Sequence, residues 1–305
     1  MTALRRALAD YLRTRRALGF KLKREGELLP QFVAYLDARG ASFVTTVAAI
    51  AWATQPREAA PGWWTQRLVV VRGFAKYLQT IEPKTEVPSL DHLPHHRARS
   101  APYVYSADDV TALLAAADTL RSPLKTTTYR ALLGVLAVTG MRVGEAIALD
   151  ERDVNRRRAV LVIRRTKFDK SREVPLHAST VEALDRYRRD RDRLAPRRSS
   201  SSFFISTVGS RLIYNNVHES FLRLVYAAGL GKRRPRPTIH DLRHTFAIQT
   251  VLCWYRDGAD VEARLPLLST YLGHVGPSST YWYLTAVPEL LEAATVRLER
   301  SQVKP

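Results

Sequence analysis

Residues 238–247 read TIHDLRHTFA and residues 269–284 read STYLGHVGPSSTYWYL, a pair of stretches holding His240, Arg243, His244, His274 and a choice of tyrosines. If the first stretch is helical, Arg243 and His244 follow His240 by one turn and share its face, leaving Leu242, Phe246 and Ile248 to pack. Attack on a phosphodiester needs such a set. A guanidinium fork grips non-bridging oxygens, imidazoles share or move protons, and a phenolate oxygen attacks phosphorus. No acidic cluster suited to catalytic metal ions accompanies these residues in the sequence.

Upstream, Arg142 stands in VTGMRVGEAIAL (138–149), just past a glycine that ends one helix and in the turn that opens the next. Alone it reads as a partner for Glu145. Lys167 sits at the polar turn of AVLVIRRTKFDKSREVPL (159–176), whose alternating, β-branched arms predict a β-hairpin. Lys232, Arg233, Arg234 and Arg236 precede the His240 stretch and form a candidate stripe for DNA backbone phosphates, with a solvated basic loop as the equal alternative. The same segment, GLGKRRPRPT (229–238), lacks both the glycine spacing of a phosphate loop and the hydroxyl residue after its lysine.

The whole chain supports a polyanion as partner. Its 305 residues suffice for two domains and an ample core, and 46% are apolar, as in a globular protein. Lys and Arg number 48 against 29 Asp and Glu, a net +19 that points to DNA or RNA. The single Cys253 cannot form an internal disulfide, and its neighbours Val251, Leu252 and Trp254 predict a buried structural thiol. The opening MTALRRALADYLRTRR is charged and no long apolar run follows, so a soluble cytoplasmic protein without membrane contact is expected.

Residues 1–82 read as helices with apolar residues at three- and four-residue steps, the third of them TVAAIAWATQ. Trp63 and Trp64 are expected to anchor that domain's core. Residues 83–104, rich in proline and histidine, mark a linker; His92, His95 and His96 there lack the cysteine or acidic neighbours of a metal site. From 105 to 305 a mixed domain follows. It opens sharply at Ser106 with Asp109 at the third helical position, so Asp108 and Asp109 are helix-start acids rather than catalytic carboxylates. STVEALDRYRRDRDRL (179–194) predicts a surface helix with Arg186–Asp190 and Arg188–Asp192 pairs on a solvated face.

Singly, each candidate residue has an ordinary structural explanation. In the order Arg142, Lys167, His240, Arg243, His274 and Tyr283 the set resembles the tyrosine recombinases, the phage-integrase family, which shares its DNA-cleaving fold with type IB topoisomerases. TGMRVGEAIAL, TKFDKSREVPL, TIHDLRHTFA and YLGHVGPSSTYWY carry the likeness. It implies a mainly α fold with a small β-hairpin or sheet: a helical, SAM-like core-binding domain followed by a mixed α+β catalytic domain. Arg142 and Arg243 would clamp the scissile phosphate, Lys167 would protonate the departing 5′ oxygen, and His240 would accept a proton or hydrogen bond. His274 would donate to a phosphate oxygen, and Glu145 would orient Arg142. Tyr283 would attack, because the family's nucleophile follows the LGH histidine by nine positions; Tyr281 then packs or touches DNA, and Tyr271 belongs to the core.

The resemblance further implies site-specific strand exchange through a 3′-phosphotyrosine, without metal, ATP or other cofactor, leading to integration, excision or transposition. The expected partners are duplex DNA with a specific inverted-repeat site, three further copies in a synaptic tetramer, and sister recombinases or accessory proteins. The wording after Tyr283 is closer to transposon-borne members. The span from Arg243 to His274 is longer than usual, so residues near 254–266 should form a loop or a lengthened helix. A topoisomerase-like enzyme and a catalytically silent DNA-binding subunit remain as alternatives.

Overall fold

The computed structural model describes residues 2–93, 101–164 and 171–273, and Thr295. The chain divides into two compact units, Met1–Arg99 and Ser100–Pro305.

The first unit packs four helices, α1 (Ala3–Ala17), α2 (Lys23–Asp37), α3 (Thr46–Ala53) and α4 (Pro61–Leu78). Their starts are set by local chemistry. The hydroxyls of Thr2 and Thr45 accept from the amides of Arg5 and Ala48, and Pro61 opens α4, where its missing N–H costs nothing. Leu8, Phe32, Trp52 and Phe74 form the core. Arg67 is buried with its guanidinium 3.7 Å above the Trp52 ring, and its Nη2 donates to the Trp52 carbonyl at 2.8 Å. Trp63 and Trp64 pack half-buried on this core, the Trp64 indole donating to the Pro56 carbonyl at 2.8 Å.

Much of the stretch read as linker is bound to one unit or the other. Glu86 accepts from the Thr46 amide at 2.6 Å, and Leu93 is buried in the first core. Beyond residues 94–100, the Tyr105 amide donates to the Thr245 hydroxyl at 2.9 Å and its phenol to the Thr238 carbonyl at 3.1 Å.

In the second unit α5 (Ala107–Ala115) begins with a reciprocal cap: Asp109 N donates to Ser106 Oγ and Ser106 N to Asp109 Oδ2, both at 3.0 Å. Central α6 (Pro123–Thr139) ends at Gly140 with φ +60° and leads into short α7 (Val143–Ala148). A three-stranded antiparallel sheet follows, ordered β1 (Val154–Asn155), β2 (Val160–Ile163), β3 (Arg172–Pro175). Within the β2–β3 hairpin Ile163 faces Arg172 and Leu161 faces Val174. Leu161 and Val174 turn inward to the core. The remaining helices are α8 (Ala178–Leu194), α9 (Tyr214–Ala227), α10 (Asp241–Arg256) and α11 (Val261–Leu272), and α6 packs against both α8 and α10. The architecture is thus mainly helical with one small sheet. Residues 254–266, read as a loop or a lengthened helix, hold the end of α10, a turn at 257–260 and the first half of α11. Among the described residues no helix is long and apolar enough to cross a membrane.

Two sequence expectations need correcting. Cys253 is exposed, because it lies on the outer face of α10, where its thiol donates to Asp257 at 3.4 Å and that carboxylate pushes its pKa up. The α8 pairs are also different. Asp190 binds Arg193 at 3.0 Å, while Asp192 binds Arg191 at 2.7 Å and Arg198 at 2.6 Å. For Asp192 the cause is the loop after α8, which folds back and brings Arg198 to Asp192 and the Phe203 carbonyl to the completely buried Arg191.

Candidate active site

The site is built where three segments of the second unit meet: the α6–α7 turn, the first residue of β3, and the facing ends of α10 and α11. Gly140 supplies the left-handed residue that ends α6, and its carbonyl accepts from Arg243 Nη1 at 2.8 Å. Two residues later Arg142 occupies the N-cap of α7. Its amide donates to Glu145 Oε2 and its Nη1 to Glu145 Oε1, both at 2.9 Å, so Glu145 both starts the helix and holds the arginine.

Arg172 shares that carboxylate, a contact the sequence reading missed. Its Nη1 donates to Glu145 Oε1 at 3.1 Å and its Nη2 to Oε2 at 2.7 Å. Each oxygen of Glu145 thus receives two donors, which fills its accepting capacity. Burial alone would raise the Glu145 pKa; the hydrogen bonds and charge of Arg172, with the bonds from Arg142, outweigh it and hold the carboxyl below the usual glutamate range. A signal for Arg172 was present in the hairpin. It lies two residues before inward-facing Val174 and so falls on the same face of the strand.

All three arginines also grip the end of α11. Arg172 Nε donates to the Tyr271 carbonyl at 2.8 Å, Arg243 Nη2 to Leu272 at 2.8 Å, and Arg142 Nη2 to Gly273 at 2.9 Å. These carbonyls are among those a helix leaves without internal partners, and positive charge at a helix C-terminus is favourable. Gly273 itself has φ +68°, and a Cβ there would come within 2.7 Å of Arg172 Nη1. Tyr271 is half-buried between two hydrophobic clusters, and burial pushes its phenol up to about 12.

His240 is the N-cap of α10, with its ring 4.6 Å from that of His244 and perpendicular to it. The ring reaches solvent, yet the surrounding protein, followed by the charges of Arg243 and Arg142, lowers its pKa. Neighbouring Asp241 is buried and accepts from the amide and hydroxyl of Thr238, both at 2.8 Å; burial raises its pKa against those bonds. Arg142, Glu145, His240 and Arg243 are therefore brought together, two of the arginines donating to adjacent carbonyls. Lys167, His274 and Tyr283 lie outside the described residues. The exposed stripe of Lys232, Arg233, Arg234 and Arg236 leads into α10. Within it Arg234 donates to the Arg233 carbonyl at 3.0 Å, and Arg236 sits 5.7 Å from the Tyr226 ring.

Two guanidinium groups on one carboxylate, with that of Arg243 on the neighbouring α11 carbonyl, make a cationic cluster suited to a phosphate, and the lowered pKa of His240 favours a neutral imidazole beside it. Residues 104–289 match the Phage integrase family. The protein y4rB of Sinorhizobium fredii, whose name describes an integrase/recombinase, is 43% identical over 98% of each chain. The tyrosine recombinase XerD of Bradyrhizobium diazoefficiens is 28% identical over 96% of this chain and 88% of its own. In fold the chain is similar to the Tn1549 transposon integrase solved with transposon right-end DNA, with a TM-score of 0.66 at 15% identity over 98% of this chain and 99% of that one.

Proposed function

Because the chain belongs to the phage integrase family of tyrosine recombinases, we propose that this site-specific DNA recombinase cleaves and rejoins DNA with Tyr283 as nucleophile. The observation that carries the residue assignment is the convergence of Arg142 and Arg243, whose charges act on His240, on the end of α11, which is followed immediately in sequence by His274. Tyr283 Oη attacks phosphorus and forms a 3′-phosphotyrosine as the bond to O5′ breaks. Lys167 gives a proton to O5′, and His240 takes the phenolic proton. Arg142, Arg243 and His274 stabilise the charge that builds on the phosphate oxygens. The phosphotyrosine keeps the energy of the broken bond, so rejoining by a 5′ hydroxyl needs neither metal nor ATP.

Exchange joins two duplexes, each cut once per strand, which calls for four active sites and hence a tetramer on the synapsed DNA. Residues 1–82 serve as the core-binding domain and the stripe 232–236 as backbone contacts. The partner DNA carries inverted repeats, the outcome is integration, excision or transposition in the cytoplasm, and sister recombinases or accessory proteins assist. Topoisomerase-like relaxation is not favoured, since the relatives matching nearly the whole chain are named integrases or recombinases.

The test is a nicked duplex carrying the inverted repeats that border the gene, incubated with full-length protein in EDTA without ATP. A covalent protein–DNA adduct is expected with wild type and with Tyr281→Phe, and none with Tyr283→Phe. Absence of a wild-type adduct, or an adduct that survives Tyr283→Phe, overturns the assignment.

A further inference from the structure

Arg172 is placed differently from Arg142. Its side chain is 13% exposed against 38% for Arg142, so it is the less able to reach a ligand. It spends Nε on the Tyr271 carbonyl and both terminal nitrogens on Glu145. One planar group thereby fixes three elements: β3, whose first residue it is, the start of α7 through Glu145, and the end of α11. A lysine has the charge but not the flat fork needed to hold two carboxylate oxygens and a carbonyl together.

The electrostatic consequence falls on Arg142. A lone glutamate three residues away favours a bidentate pair that uses both terminal nitrogens of an arginine. Here Glu145 receives only Nη1 of the Arg142 guanidinium, because its oxygens are shared with Arg172 and the Arg142 amide, and Arg142 Nη2 is turned to the Gly273 carbonyl. We propose that Arg172 is a positioning residue for DNA cleavage: by occupying Glu145 it prevents that carboxylate from capturing Arg142, and it keeps the Arg142 guanidinium directed at the phosphate beside the α11 end. This rests on the recombinase reading above.

Three quantities test it on full-length protein with the same nicked duplex: the single-turnover rate of adduct formation, the duplex Kd, and the melting temperature. Arg172→Gln is expected to slow adduct formation by roughly ten- to a hundredfold, the scale of a small misplacement of a reacting group, with Kd changed less than about threefold. Arg172→Lys recovers part of the rate. The double variant Arg172→Gln/Glu145→Gln is no slower than Arg172→Gln alone, because the carboxylate that would capture Arg142 is gone.

Three results overturn the inference while leaving the recombinase reading intact: a wild-type rate for Arg172→Gln, losses that multiply in the double variant, or a Kd that weakens in step with the rate. If Arg172→Gln fails to fold, Arg172→Lys alone and paired with Glu145→Gln takes its place, and multiplicative losses there count against the inference equally. No adduct from wild type strikes the recombinase reading itself.

Discussion

Arg243 Nη1 and the carbonyl of Gly140 lie 2.8 Å apart, a hydrogen bond spanning 103 positions of sequence that fastens α10 to the end of α6. It is possible only because residue 140 has no side chain. Its φ is +60°, and a Cβ would stand 2.4 Å from Phe246 Cδ1 and 2.9 Å from Cγ. Phe246 stacks on Tyr271 with centroids 5.6 Å apart, so it has little room to yield. Gly140→Ala is expected to destabilise the fold by about 1–3 kcal/mol, from left-handed strain plus overpacking. Urea unfolding measures this, and an unchanged midpoint would contradict the packing described.

Glu145 ties stability to pH. Its folded pKa is held below the usual range, so its contribution is complete above the unfolded glutamate pKa and disappears as pH falls through the folded value. Removing one partner of a buried ion pair leaves the others uncompensated, and Glu145→Ala should cost about 3 kcal/mol near neutrality. Denaturation curves at several pH values read both effects: the variant's deficit should shrink in acid, and a deficit that grew instead would reverse the sign argued here.

A lowered pKa favours the charged form of Glu145 but the neutral form of an imidazole base. His240 has a lowered pKa, caused first by the protein around it and then by Arg243 and Arg142, so its ring stays neutral below the ordinary histidine range. If it accepts the phenolic proton, the acid limb of adduct formation lies below roughly pH 6.5. His240→Gln should lower the rate and flatten that limb. A wild-type limb above the ordinary value would rule out the role.

Binding to DNA should weaken steeply with salt, since each phosphate contact releases bound counterions. Lys232→Ala or Arg236→Ala in the exposed stripe is expected to reduce the slope of log K against log salt by about 1, with little effect on the choice of sequence. Titrations at four salt concentrations decide this, and an unaltered slope removes the residue from the interface.

The legible parts were those written in short-range pattern. Apolar spacing gave the helices, Ser106 with Asp109 gave a helix start, and alternation on both sides of a polar turn gave the hairpin. Arg142 with Glu145 could be paired on spacing alone. What escaped was set by partners far away in sequence. Arg172 depends on Glu145 and Tyr271, 27 and 99 positions off, and nothing beside it names them. The ion pairs of α8 differ for a nearer cause: Asp190 pairs with Arg193 on its own helix, and the returning loop brings Arg198 to Asp192. Cys253 was misjudged because apolar neighbours in sequence lie on other faces of α10.

The three arginines hold α11 by peptide oxygens, and every residue type offers the same peptide oxygen. Positions 271 and 272 are consequently at liberty to drift in side chain as far as this attachment is concerned, limited by the cores they pack in. Position 273 is not, because its backbone twist and the guanidinium lying against it admit only a hydrogen. Variation among descendants of this chain should therefore pass over the attachment itself and leave one glycine as its visible trace.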